Sequence, residues 1–280
     1  MIKLVQPHPA LLLQTKKERM LVVADLHIGW ELSLAQKGVH VPSQTPKLLN
    51  KMLQLIDLCK PTKLIFLGDV KHTVAKLDIR EWQDIPDFFE VLQKKVPDIE
   101  VVPGNHDGNL TPLLPANVKI LPYSGLAVED VGLFHGHAWP KPELLQCRTL
   151  VTAHVHPTAV FRDPLGFQIR EQVWVKANFN SRKLAKNLLK HLNIKVKADP
   201  TTLLQEKFNV KLTVSQLLIM PSFNNFLGGQ PINRKIGRGT KSRKFIGPIL
   251  RSGNVDLKNA EVYLLDGAFL GTVEHLKSLT

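Results

Sequence analysis

The chain has 280 residues, 44% of them hydrophobic, which is enough to bury a large α/β core, and no apolar run approaches the ~20 residues of a membrane span. Its two cysteines, Cys59 and Cys147, lie far apart without CxxC spacing, so a disulfide framework is not expected. The net charge of +13 favours anionic partners over basic ones.

Met1 to Met20 is broken by Pro7, Pro9 and the charged run Lys16 to Arg19, so it does not read as a signal peptide. A cytoplasmic protein with both thiols reduced and buried is expected. Leu11 to Leu13 and Met20 to Ala24 flank polar Gln14 to Arg19 and predict an opening hairpin. A helix should begin near Ser43 or Thr45, with Pro46 in its first turn and Pro61 beyond its end. Leu48, Leu49, Met52, Leu53, Leu55 and Ile56 supply its apolar stripe. A second helix is predicted over about 80–95, with Trp82, Ile85, Phe88, Phe89 and Leu92 inward. After Lys119 the pattern turns to short strands. Val160–Phe161 and Phe167 to Val175, around Asp163-Pro164-Leu165-Gly166, read as a hairpin. Ser181 to Leu192 reads as a basic amphipathic helix. Leu217 to Met220 and Val262 to Leu265 return to strand. The chain is read as one domain, 1–280, carrying a basic decoration at about 181–251.

Five apolar, strand-like runs each end in metal-ligand chemistry. Met20 to Ala24 precedes Asp25-Leu26-His27. Leu64 to Leu67 precedes Gly68-Asp69-Val70-Lys71-His72. Ile99 to Val102 precedes Gly104-Asn105-His106-Asp107. Val131 to Phe134 precedes His135-Gly136-His137, and Leu150 to Ala153 precedes His154-Val155-His156. Ligand crevices of α/β sheets open at the carboxyl ends of strands, so these donors are expected on one rim. Carboxylate, amide oxygen and imidazole without thiolate suit Mn²⁺, Fe, Zn²⁺ and similar ions. Singly, each motif is weak and compatible with polar loop capping; five in order are not. His137, two residues after His135, is read as a satisfied or supporting histidine. Trp139-Pro140 reads either as a pocket wall or as core.

The motif order resembles the calcineurin-like metallophosphoesterases. Pro221-Ser222-Phe223-Asn224-Asn225-Phe226-Leu227-Gly228-Gly229 and Leu265-Asp266-Gly267 are similar to the tail of the ICC-like, DNA-ligase-associated branch. The resemblance implies a four-layer αββα sandwich of two mixed sheets flanked by helices. It implies one divalent ion on Asp25, His27 and His156, a second on Asn105, His135 and His154, and Asp69 bridging both. Mn²⁺ is the first choice, with Fe, Zn²⁺, Ni²⁺ or Mg²⁺ as alternatives. It implies a metal-activated hydroxide as nucleophile and His106 as the group that contacts phosphate and protonates the leaving oxygen. His72, Asp107 and His137 are left to support the ligands or touch substrate. Two departures from the pattern matter. His72 stands where an orienting Asp is common, and Ala153 replaces a Gly. The implied activity is phosphoester hydrolysis, with a phosphodiester (a nucleotide or nucleic acid) as first choice. A phosphomonoesterase on the same site and a non-catalytic interaction scaffold are the rivals.

From Ser181 to Arg251 there are 15 Lys+Arg against two Asp+Glu, so the rest of the chain is balanced. Arg234, Lys235, Arg238, Lys241, Arg243 and Lys244, beside the pliable Gly237 and Gly239, are candidate phosphate contacts to nucleic acid. The run lacks interleaved aromatic residues, so base stacking is not expected of it.

Overall fold

The apolar runs are too short for helices, and they pair as strands wherever turn residues bound them. A computed structural model of the chain describes residues 1–74, 79–163, 165–234 and 246–279. These residues divide into two compact units, Met1–Tyr123 with Ser222–Leu227, and Ser124–Pro221 with Gly228–Thr280.

The first unit carries a six-stranded mixed sheet in the order β1-β2-β3-β4-β5-β6. Its strands are β1 (Ile2–Leu4), β2 (Leu11–Gln14), β3 (Arg19–Val23), β4 (Lys63–Phe66), β5 (Asp98–Val101) and β6 (Lys119–Ile120). The opening hairpin β2–β3 is present as read, and β1 extends it antiparallel. From β3 to β6 the pairing is parallel, which needs long crossovers. Helices supply two of them: α2 (Thr45–Cys59), preceded by the single turn α1 (Leu32–Ala35), and α3 (Ile79–Gln93). α2 buries Leu48, Met52, Leu55, Ile56 and Cys59, and stops at Lys60, whose φ of 46° cannot continue a helix. α3 buries Glu81, Ile85, Phe88, Phe89 and Leu92. The sequence places Trp82 in that stripe. The structure instead leaves it 48% exposed, because the inward phase begins one residue earlier, at Glu81.

The second unit carries a nine-stranded mixed sheet. Its strands are β7 (Leu126–Val128), β8 (Val131–Leu133), β9 (Thr149–Thr152), β10 (Pro157–Arg162), β11 (Gln168–Phe179), β12 (Gln216–Ile219), β13 (Gln230–Pro231), β14 (Val255–Leu264) and β15 (Phe269–Thr272). The long β11 pairs with β10 through its first residues and with β12 and β14 through the rest. Between β11 and β12 come α4 (Ser181–His191) and α5 (Pro200–Phe208); α6 (Pro248–Arg251) and α7 (Val273–Ser278) follow later. α4 is capped by the Asn180 side chain, which accepts from Lys183 N, and it buries Leu184, Ala185, Leu188 and Leu189. The capping Asp199 and Pro200 that open α5 form a helix start of the same readable kind. The basic stretch 181–251 therefore also supplies β12, an interior strand of this sheet. Trp139, half-buried, stacks on His191 and packs against this unit's core. Cys59 and Cys147 are free and buried. Among the described residues, no helix is long and apolar enough to cross a membrane.

Candidate metal centre

In the first unit the donors sit where β3, β4 and β5 end. The turns beyond β3 and β4 stay paired: Asp25 N donates to Gly68 O (3.0 Å) and His27 N to Asp69 O (2.9 Å). Asp25, His27 and Asp69 hold φ of 57°, 45° and 53°. Left-handed backbone is disfavoured for residues with a Cβ, and such strain gathers at functional sites. Here it accompanies three side chains that are 0%, 3% and 2% exposed. His27 Nε2 lies 3.4 Å from Asp69 Oδ2. The third loop closes on Asp69 from β5, as His106 N donates to Asp69 Oδ1 (2.9 Å). A Cβ at Gly104 would stand 2.1 Å from Asp69 Oδ1, so this position has room only for glycine.

Asp107 fastens two of these loops together. Its Oδ1 accepts from Val70 N (2.9 Å) and Lys71 N (3.3 Å), and its Oδ2 from Gly104 N (2.8 Å). Between supporting the ligands and touching substrate, these bonds give it the first role. Asn105, two residues before it, is exposed.

His72 Nδ1 stands 3.3 Å from His27 Nδ1, and the His72 carbonyl faces His106 Nδ1. A carbonyl only accepts, so Nδ1 of His106 carries the hydrogen and Nε2 is left as its reactive nitrogen. The orienting group at this position is thus the backbone of His72, not its side chain. Burial, with His106 adjacent, holds the His72 imidazole below its usual pKa. Buried Glu81, which belongs to no motif, binds His72 N (3.2 Å), Thr73 N (2.9 Å) and Thr73 Oγ1. The fully buried Lys71 donates to Thr73 O, and desolvation pushes its pKa down.

The segment Ser222–Leu227 completes the Asp25–His27 turn. Phe223 N donates to Ala24 O (2.7 Å), and Asn224 Nδ2 to Leu26 O (2.9 Å). Phe226 stacks on Trp30 at 5.6 Å, with Lys47 Nζ 5.4 Å from its ring centre. Lys51 donates to Phe223 O (2.8 Å) and lies 4.3 Å from that ring's centre; burial lowers its pKa to about 8.

In the second unit the donors follow β8 and β9. His135 is 0% exposed, and its ring lies 5.1 Å from that of His154. His154 and His156 hold φ of 68° and 48°, repeating the strain of the first unit. The His135 carbonyl accepts from Ala153 N (2.9 Å) and Thr152 Oγ1 (2.9 Å). A Cβ at Gly136 would stand 2.3 Å from Thr152 Oγ1, and one at Gly229 2.3 Å from His156 O. Among the described residues positive φ falls on His154 and His156 and not on Ala153, so alanine is accommodated there. Beyond the end of β8 at Leu133, the His137 ring lies 5.4 Å from that of His135 and 6.2 Å from that of His154.

The donor chemistry fits divalent ions, with buried carboxylate and imidazole in one unit, a histidine cluster in the other, and no thiolate. The calcineurin-like phosphoesterase family profile matches residues 18–214, more than half of the chain. The chain belongs to the calcineurin-like phosphoesterase family. Membership makes it a metal-dependent phosphoesterase of mixed α/β fold with two mixed sheets. Among solved structures it is similar to the Pseudomonas putida nuclease MPE, at 17% identity over 92% of this chain and 97% of that one, with a TM-score of 0.49. It is also similar to the E. coli phosphoesterase YfcE, at 21% identity over 51% of this chain and 73% of that one, with a TM-score of 0.34. No curated protein matches it significantly. Of the basic candidates, Arg234 is exposed, while Lys235, Arg238, Lys241, Arg243 and Lys244 lie outside the described residues.

Proposed function

We propose that this phosphoesterase hydrolyses a phosphodiester and belongs to the ICC-like branch. Two divalent ions, Mn²⁺ first, are assigned to Asp25, His27 and His156 and to Asn105, His135 and His154, with Asp69 shared. The observation that carries the reading is the burial of Asp25, His27 and Asp69 on left-handed backbone. Burying two carboxylates costs several kcal/mol unless cations or donors compensate. Holding them in strained turns adds about 1–3 kcal/mol per residue. Ions bound there supply Lewis acidity and make a bound water more acidic.

The chain's own groups do the rest. Asp107 and Glu81 fix the loops, so that Asp69 and His72 keep their places. The His72 carbonyl holds the Nδ1 hydrogen of His106 and leaves Nε2 to pass a proton to the leaving oxygen. Exposed Arg182, Lys183, Lys186 and Lys190 of α4, with Arg234, continue the basic stretch and favour a polyanionic substrate.

A metal-by-substrate screen tests the reading. Mn²⁺, Mg²⁺, Zn²⁺ and Ni²⁺ are tried with a generic monoester, a generic diester, cyclic nucleotides and DNA. Diester turnover that needs an ion and vanishes in Asp69→Asn is expected. Turnover confined to monoesters would replace the substrate assignment, and none with any ion would refute the catalytic one.

A further inference from the structure

His27, His72 and His106 converge within the first unit alone. One ring nitrogen from each lies within 4.8 Å of those of the other two. The pairs of rings stand 5.4, 4.7 and 5.6 Å apart, centre to centre. His27 turns Nε2 toward Asp69 and Nδ1 toward His72. The two Nδ1 atoms are 3.3 Å apart. A tetrahedral ion with metal–nitrogen bonds of ~2.0–2.1 Å holds its ligand nitrogens about 3.3–3.4 Å apart, so this separation already matches one edge of such a site. His106 spends Nδ1 on the His72 carbonyl, which leaves its Nε2 lone pair as the third donor.

We propose that these three histidines form an additional site for a single Zn²⁺-class ion, beside the Asp69-centred pair and sharing His27 with it. Three imidazoles select Zn²⁺, Ni²⁺ or Cu²⁺ over Mg²⁺ and Mn²⁺. The metal–nitrogen bonds form at His27 Nδ1, His72 Nδ1 and His106 Nε2. His72 binds as the neutral tautomer with its hydrogen on Nε2, and His27 does the same when its Nε2 holds no other ion. With the Asp69-centred pair bound at Nε2, His27 instead bridges as imidazolate and its Nδ1 proton passes to solvent. Occupancy engages the only reactive nitrogen of His106. The site is therefore inhibitory: the enzyme is switched off by an excess of the ions that imidazole prefers. That last step rests on the reading of His106 as proton donor; the binding itself does not.

The test counts ions. Wild type, His72→Asn and His106→Ala are dialysed to equilibrium against Zn²⁺ and analysed for metal per chain, with circular dichroism melts confirming that each is folded. Each variant is expected to hold one Zn²⁺ fewer than wild type. If the Asp69-centred pair also binds, the counts are three against two; if that reading fails, they are one against none. Equal counts in wild type and both variants would overturn the proposal whichever total is found. A second readout uses Co²⁺, whose visible absorption should lose one tetrahedral component in both variants. A spectrum that His72→Asn leaves unchanged would also overturn it.

Discussion

Replacing Asp107 tests how much of the metal centre depends on a residue that holds no metal. Its carboxylate, 6% exposed, accepts three backbone N–H groups, from Val70, Lys71 and Gly104. Asp107→Ala strands all three. An unsatisfied buried donor costs about 1–3 kcal/mol, and charged acceptors lie at the upper end. Partial relaxation and entry of water bring the expected loss to ~3–5 kcal/mol, a large share of a typical ~5–15 kcal/mol. Asp107→Asn keeps an oxygen for Val70 and Lys71 but turns an NH₂ toward Gly104 N, donor against donor, so about 2 kcal/mol is expected. Urea unfolding, followed by fluorescence, gives both numbers. The Gly68–Asp69 and Gly104–His106 loops lose their tie together, so metal affinity should fall in the same order, wild type above Asn above Ala. An alanine variant within about 0.5 kcal/mol of wild type would show that the three bonds add nothing net.

Gly104→Ala should abolish metal uptake while keeping secondary structure, because its Cβ would stand 2.1 Å from Asp69 Oδ1; normal uptake measured by elemental analysis would contradict the geometry. Lys51 has a folded pKa of about 8 against an ordinary 10.5, so between those values the unfolded chain binds more protons than the folded one. Stability should therefore rise by ~2–3 kcal/mol from about pH 8 to about 10.5, and Lys51→Met should flatten that part of the urea-midpoint profile. His106→Ala should lower turnover by on the order of 10²–10⁴, less for substrates with good leaving groups; an equal loss for good and poor ones would assign His106 to phosphate binding alone. Neutralising Arg234, Lys235, Arg238, Lys241, Arg243 and Lys244 should flatten the log–log salt dependence of DNA binding by ~0.9 for each phosphate that is no longer neutralised, with hydrolysis of a small diester unchanged. An unaltered slope would remove nucleic acid from the proposal.

The strands bearing the motifs are legible in the sequence because each is a short apolar run stopped by polar, turn-forming residues. All five appear within a residue or so of their expected bounds. They belong to two sheets, three in one and two in the other, which strand-end chemistry alone does not reveal. α2 and α4 are readable from apolar spacing, but the same spacing puts α3 one residue out of phase. A hydrophobicity pattern ranks Trp82 above Glu81, while the loop 71–73 needs the carboxylate inside. Supporting residues are the least legible. Glu81 and Lys71 serve the backbone of the 71–73 loop, and Asn224 reaches Leu26 across 198 positions, contacts that no motif or apolar pattern marks. Ser222–Leu227 stands out in the sequence as a tail similarity, without the purpose that its bonds to the Asp25 turn supply.

That same segment fixes when the chain can finish its work during synthesis. The Asn224 to Leu26 bond spans 198 positions. A nascent chain at ~5–20 residues per second makes the rest of the first sheet about 5–20 s before residue 224 exists. Until then the turn bearing Asp25 and His27 lacks the bonds that pin its carbonyls. A unit whose sheet is complete by residue 120 must wait through about a hundred residues of unrelated structure for its last few. Loop closure over that distance is slow and is favoured only late, so the turn is among the last parts of the first unit to become rigid.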